Sequence, residues 1–161
     1  MTLINKTELM KRFYNYFSKE EKAVLLVGDM GFSALDDYFK NHPDRVFNTG
    51  ITEQATISLA AGMSMTGLKP FIYSQAHFIT MRCFEQLRYD LDEHNMPVKI
   101  IGVGANNYFE KLGRSHCVDE DDKLVVSVLK NFIIMEPTVY TVDKDIKKFI
   151  SYNKPVYLRC I

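Results

Sequence analysis

Residues 23–29 read Ala23-Val24-Leu25-Leu26-Val27-Gly28-Asp29, an unbroken run of apolar side chains followed by glycine and aspartate. A strand with one face in water alternates apolar and polar residues, whereas a strand buried on both faces of a parallel sheet is apolar throughout. The run therefore predicts a central strand of a parallel sheet. Gly28 and Asp29 would then form the turn at the carboxyl end of that strand.

The segments on either side of this run alternate between helical and strand patterns. Apolar residues at three- and four-residue spacing predict an amphipathic helix over Thr7–Lys19, with Thr7 as its N-cap. Repeated strand–helix alternation, without repeats or linkers, predicts an α/β fold: a single domain over residues 1–161 with a mostly parallel sheet of about six strands flanked by helices. The remaining strands are predicted at 46–47, 70–73, 98–103, 132–135 and 155–159, and the remaining helices at 53–65, 78–91, within 121–129 and at 143–152.

The composition excludes several classes of protein. The 161 residues include 20 Lys and Arg against 20 Asp and Glu, and this neutral balance argues against a nucleic-acid binder, which normally has a basic excess. No apolar run approaches the roughly 18 residues of a membrane span. Cys83, Cys117 and Cys160 are too widely spaced for a zinc site, so we expect no metal ligands in this chain and a reducing, cytoplasmic compartment.

Two short motifs suggest a ligand site but do not support one. Gly28-Asp29-Met30-Gly31 lacks the Gly-x-x-x-x-Gly-Lys spacing of a phosphate-binding loop. The run of acids at 119–122 could suggest a metal site, but adjacent acids do not converge on one ion without further ligands. The simpler interpretation is a carboxylate-rich helix N-terminus.

Three residues near predicted strand ends are candidates for chemistry, because ligands of parallel sheets bind beyond the carboxyl ends of the strands. Glu53 opens a helix of small apolar residues, where it either caps the helix or acts as a buried acid that shares a proton with a ligand nitrogen. His116 lies in the loop after the strand at 98–103, and it is either incidental or catalytic. Arg82 lies on an apolar helix, where a charge would be unusual in a core.

Taken in order, these segments resemble the pyrimidine-binding (Pyr) domain of transketolase-like, thiamin-diphosphate-dependent enzymes. Arg45-Val46-Phe47-Asn48-Thr49-Gly50-Ile51-Thr52-Glu53-Gln54 matches the family's Arg-Phe-x-Asn-x-Gly-Ile-Ala-Glu-Gln signature. Residues 78–88 follow the Phe-x-x-Met-Arg-x-x-Glu-Gln-Ile-Arg helix of split-gene transketolases, and residues 112–116 stand where they carry Leu-Gly-Pro-Thr-His. The similarity covers nearly the whole chain, with further matches in register at 28–31, 59–63, 120–121 and 155–159.

The resemblance implies roles for individual residues. Glu53 would hydrogen-bond N1′ of the cofactor's aminopyrimidine and so favour the imino tautomer that generates the thiazolium ylide. His116 would face the substrate and stabilise or protonate its oxygens. Phe78 would pack on the pyrimidine, although some relatives place the stacking aromatic at the position of Ile79. The resemblance puts two further residues among the cofactor contacts, Arg82 and Asp29.

The resemblance also implies a partner. The family's Gly-Asp-Gly…Asn motif, which binds Mg²⁺ and the diphosphate, is absent from the sequence, and the family's cofactor lies between a Pyr domain and a diphosphate-binding (PP) domain. We therefore expect the short chain to be half of a split active site. Thiamin diphosphate and Mg²⁺ would be held with a separate PP-domain subunit in an α2β2 heterotetramer, through an exposed apolar face.

Three functions are compatible with the resemblance. The leading hypothesis is a transketolase-like transferase subunit that moves a two-carbon ketol unit between phosphorylated or activated sugars. The second is the Pyr subunit of a 2-oxo acid decarboxylase or carboligase, and the third is a non-catalytic Pyr-like scaffold or regulator. Because Glu53 and His116 are both present, the sequence favours an enzyme. The sequence departs from the family pattern near the substrate channel at Arg114, Cys117 and residues 104–111. These departures leave the identity of the acceptor sugar open.

Overall fold

Six parallel strands form one sheet in the order β2-β1-β3-β4-β6-β5 in the computed structural model, which describes residues 2–161. The strands are β1 (Ala23–Val27), β2 (Val46–Asn48), β3 (Lys69–Gln75), β4 (Lys99–Val103), β5 (Ile133–Met135) and β6 (Val156–Cys160). The helices are α1 (Lys6–Phe17), α2 (Asp36–Asn41), α3 (Glu53–Met65), α4 (Ala76–Thr80), α5 (Phe84–Gln86), α6 (Asp121–Ser127) and α7 (Val142–Ser151).

The position of β1 explains its uniform composition. It pairs with β2 on one side and β3 on the other, and all of its residues are buried. One face of the sheet is covered by a core that includes α1 and α7 residues, and the opposite face by a core that includes α3 and α6 residues. The predicted fold class, an α/β domain with a parallel sheet flanked by helices, is therefore confirmed.

Two local predictions were wrong and one helix was missed. The N-cap of α1 is Asn5, whose side-chain oxygen accepts a hydrogen bond from the Thr7 amide at 2.9 Å, so the N-cap lies two residues before the predicted Thr7. The predicted helix 78–91 is divided into α4, α5 and a wide turn at Leu87–Asp92, because apolar spacing persists through such irregular turns. Helix α2 was missed, since its six residues are too few to show a periodicity.

A buried ion network holds the long loop between β4 and α6 (residues 104–120) at its base. Arg159 of β6 donates from Nε and Nη2 to Asp122 at 2.8 and 3.0 Å, and Tyr157 donates its hydroxyl to the same carboxylate. Nη2 of Arg159 also donates to the side chain of Asn106 and to the backbone oxygen of Asp119, near the two ends of the loop. The acidic run at 119–122 therefore does more than begin a helix, because Asp122 is completely buried as an ion partner.

Close packing of β4 against β6 requires glycine at position 102. A Cβ atom added there would lie 2.5 Å from the ring and hydroxyl of Tyr157, the residue that bonds to Asp122. Burial raises the pKa of Tyr157 well above its ordinary value, which keeps its hydroxyl protonated as a donor. No helix in residues 2–161 combines the length and apolar character needed to cross a membrane.

Candidate active site

A cavity of about 380 Å³ lies at the carboxyl edge of the sheet, where the parallel fold predicts a ligand site. Loops from four neighbouring strands contribute to it, because the carboxyl ends of β2, β1, β3 and β4 meet at this edge. The lining residues are Lys6, Gly28, Asp29, Met30, Gly31, Phe32, Ile51, Glu53, Gln75, Phe78, Phe109, Leu112 and His116.

Glu53 is a buried carboxylate at the first residue of α3, with 4% of its surface exposed. Its Oε2 atom accepts a hydrogen bond from Nη1 of Arg82 at 3.0 Å. Within residues 2–161 no backbone N–H bonds to the carboxylate, so Glu53 does not cap its helix, and Oε1 has no donor. This geometry favours the buried-acid interpretation, because a carboxylate oxygen that has no donor and lies on a residue lining the cavity is available to a ligand N–H.

Arg82 connects Glu53 to Phe78. Its guanidinium carbon lies 4.1 Å from the centroid of the Phe78 ring, while Nη1 bonds to the Glu53 carboxylate. The side chain is 43% exposed, so Arg82 does not lie in the core, where a charge would have been unusual. Phe78 is half-buried and lines the cavity, whereas Ile79 is fully buried in the core beneath α4. Of the two predicted stacking residues, the structure brings only Phe78 to the cavity.

His116 ends the second of two short turns in the loop after β4. Its ring lies edge-on to the Phe78 ring, with 5.5 Å between centroids, and its Nδ1 atom is 3.0 Å from the hydroxyl of Ser115. Its backbone oxygen accepts a hydrogen bond from the Gln75 side chain. The predicted catalytic pair, Glu53 and His116, thus lines one cavity with Phe78 between the loops that carry them.

The other predicted residues differ in their relation to the cavity. Asp29 lies on its rim in a left-handed backbone conformation and accepts a hydrogen bond from Asn48 at 3.0 Å. Arg114 and Cys117 flank His116 but do not line the cavity. Two polar lining residues, Gln75 and Lys6, were not among the predicted site residues; the position of Gln75 at the end of β3 was the available signal.

The residues present fit one end of a heteroaromatic cofactor. A carboxylate oxygen without a hydrogen-bond donor and a neighbouring aromatic ring are the groups that would hold a ring bearing protonatable nitrogens. Across residues 2–161, His, Cys, Asp and Glu side chains form no group of three that could hold a metal ion. The cavity therefore fits the pyrimidine end of thiamin diphosphate.

Comparison with known proteins identifies similar chains. Residues 6–160 match the family described as the transketolase pyrimidine binding domain. The chain is 33% identical over 143 residues to a chain named as a transketolase C-terminal section from Methanocaldococcus jannaschii. It is 31% identical over 133 residues to one of the subunits of apulose-4-phosphate transketolase from Phocaeicola vulgatus, and 31% identical over 150 residues to 1-deoxy-D-xylulose-5-phosphate synthase from Clostridium perfringens.

The solved structure of a split-gene transketolase, described as an inactive beta4 tetramer, matches with a TM-score of 0.82 at 31% identity. It is aligned over 98% of this chain and 50% of its own. The three sequence relatives are aligned over 88%, 80% and 87% of this chain but over 45%, 41% and 22% of their own lengths. The chain thus spans half or less of the length of each relative.

Proposed function

The chain belongs to the transketolase pyrimidine-binding domain family, and from that membership we propose that it is the Pyr subunit of a split, thiamin-diphosphate-dependent transketolase-like enzyme. Its reaction is the transfer of a two-carbon ketol unit between sugar substrates that are phosphorylated or otherwise activated. The observation that carries the proposal is the buried Glu53 carboxylate, which lines a cavity with an oxygen that no group in residues 2–161 bonds.

Each residue of the site has a role in this proposal. Glu53 shares a proton with a ring nitrogen of the aminopyrimidine, and Arg82 orients the Glu53 carboxylate through its hydrogen bond. Phe78 packs against the ring, and Asp29 contacts the cofactor from the rim. His116, whose ring lies edge-on to that of Phe78, donates to or accepts from substrate oxygens. When bound, thiamin diphosphate supplies the nucleophilic carbon and the electron sink for breaking a carbon–carbon bond.

The diphosphate and Mg²⁺ are assigned to a separate PP-domain subunit, in an α2β2 assembly with this chain. An apolar surface supports the existence of a partner: an open groove beside α6, here called the α6 groove. It is formed by Met81, Phe84, Leu124, Val125 and Val128. Two further large apolar side chains are exposed on α3, Leu59 and Met65, whereas α7 on the other face of the sheet buries its apolar side chains.

Cofactor titration and product analysis test the proposed function. We expect thiamin diphosphate with Mg²⁺ to bind the complex with the PP-domain chain of the same organism, and not this chain alone, when followed by calorimetry. The complex should transfer a ketol unit between sugar phosphates without releasing carbon dioxide. Carbon dioxide from a 2-oxo acid would instead support the decarboxylase alternative, and tight cofactor binding to this chain alone would contradict the split site.

A substitution in the α6 groove tests the partner surface. Leu124→Asp places a charge on a side chain that is 63% exposed, so the fold should be retained while the apolar contact is lost. We expect the dissociation constant for the PP-domain chain to rise by at least about 30-fold, the size of an interface hot spot. Val139→Asp is the matched control, because Val139 is also exposed but lies near the start of α7. Unchanged affinity of the Leu124 variant would exclude the groove as the interface.

A further inference from the structure

The segment that carries His116 has few contacts of its own with the sheet. Its backbone hydrogen bonds are mainly local, as in the bonds from the His116 amide to Gly113 and from the Cys117 amide to Arg114. Most of residues 106–115 are exposed. Local turns of this kind shape a loop but do not hold it against the rest of the protein. The ion network of Arg159 reaches the loop near residues 106 and 119, and Tyr108 and Phe109 contact Lys6 and the core, which leaves the segment at 110–115 without these contacts.

Gln75 provides a contact at His116, in the second half of the loop. It is the last residue of β3, and its side chain is buried at 7% exposure. Its Nε2 atom donates to the backbone oxygen of His116 at 3.0 Å, across 41 residues of sequence. Because the bond is made to the backbone, it fixes the residue while the imidazole stays on the cavity. A buried amide that lost this bond would leave two polar groups without partners.

The residues that follow Gln75 contact the same two positions of the loop. The ring of Phe78 lies against the ring of His116. His77 is half-buried, and burial lowers the pKa of its imidazole, while the nearby backbone of Ser115 opposes that change. Three of four consecutive residues at the junction of β3 and α4 thus face Ser115 and His116.

We propose that Gln75 is a positioning residue that fixes the His116 loop to the strand end carrying Phe78. The amide keeps the substrate-facing histidine and the cofactor-facing ring in one geometry, so that neither moves independently of the other. The catalytic part of this inference rests on the proposed function. The fixing of the loop does not rest on it, and can be measured on the chain alone.

Hydrogen exchange of the isolated chain tests the fixing of the loop. Gln75→Met keeps the approximate side-chain volume and removes the donor. We expect backbone amides of residues 106–117 to exchange about tenfold faster than in the wild type, with β4 amides unchanged. Gln86→Met is the matched control, because Gln86 has no bond to the loop. Wild-type exchange in the loop of the Gln75→Met chain would overturn the proposal, whether or not the enzyme proves to be a transketolase.

A charge-switched variant tests positioning in the complex with the PP-domain chain. In Gln75→Glu the ionised carboxylate cannot donate to His116, but its protonated form can. We expect kcat to fall roughly 10- to 100-fold in Gln75→Met at every pH. The kcat of Gln75→Glu, divided by the kcat of the wild type at the same pH, should rise toward one as pH falls and the introduced carboxyl group is protonated. Glu53, His77 and His116 occur in all three proteins, so the comparison is between chains that differ only at position 75.

A role in filling space predicts a different result for Gln75→Glu. The ratio of its kcat to that of the wild type would then not depend on pH, as for Gln75→Met, and this outcome would overturn the positioning role. If the wild-type complex transfers no ketol unit, the proposed function fails and the exchange measurement alone judges the role of Gln75.

Discussion

Replacing Glu53 by glutamine is expected to lower kcat of the reconstituted complex by about 10²- to 10⁴-fold, the usual contribution of a positioned acid–base group. Glutamine has nearly the same shape, but it cannot take up and return a proton at the ring nitrogen. The site supports a specific effect, because the carboxylate is buried beside the cavity and only Arg82 donates to it within residues 2–161. Steady-state kinetics at saturating cofactor measure the change.

The fold of the Glu53→Gln variant should be preserved. The Arg82 side chain is half exposed, so water can solvate it when its charged partner is gone. Glu85→Gln provides the control, since Glu85 is an exposed carboxylate on the neighbouring helix α5. A Glu53→Gln complex with near-normal turnover would refute the assignment of Glu53 as the proton-sharing acid, whatever the substrate.

Replacing Asp122 by alanine is expected to lower the free energy of unfolding by about 3–5 kcal/mol, the typical cost of removing one partner from a buried ion pair. The variant leaves the guanidinium of Arg159 buried with Glu136 as its remaining carboxylate, and it removes the acceptor of the Tyr157 hydroxyl. Such a loss is a large fraction of the roughly 5–15 kcal/mol that stabilises a typical domain. Urea unfolding followed by circular dichroism is suitable, because the chain has no tryptophan.

Two further variants make the Asp122 prediction specific. Asp121→Ala should change stability by no more than about 0.5 kcal/mol, since Asp121 is exposed on the same turn of α6. Asp122→Ala combined with Arg159→Met should cost less than the sum of the single changes, because the double variant leaves no unpaired buried charge. Additive costs, or a single-variant loss below about 1 kcal/mol, would show that the pair does not stabilise the fold.

Sequence analysis was most accurate for elements whose burial makes a continuous segment of the sequence apolar. The bounds of β1 and α3 agree with the predicted 23–27 and 53–65. Both elements are largely apolar, and β1 has sheet partners on both sides. The sequence analysis was least accurate over residues 78–91, where the apolar spacing continues although the helix is interrupted.

The same distinction applies to the site. Glu53, Phe78 and His116 each follow a strand, and a parallel sheet brings its carboxyl ends to one edge, so their meeting at one cavity could be anticipated. The sequence could not decide whether Phe78 or Ile79 faces the cavity, because that depends on which side of a short helix is turned toward it. The roles of all three residues in catalysis stay predictions.

The amino-acid sequence was sufficient for the parallel α/β fold, the family and the strand ends that carry the candidate acid and histidine, because each depends on patterns local to a segment. The pairing of Asp122 with Arg159, the hydrogen bond from Gln75 to His116 and the position of the α6 groove depend on contacts between segments far apart in the chain. Such contacts exist only after the sheet order is set. The residues next to a buried charge or amide in the sequence do not identify its hydrogen-bond partner. Only the tertiary fold brings that partner into contact.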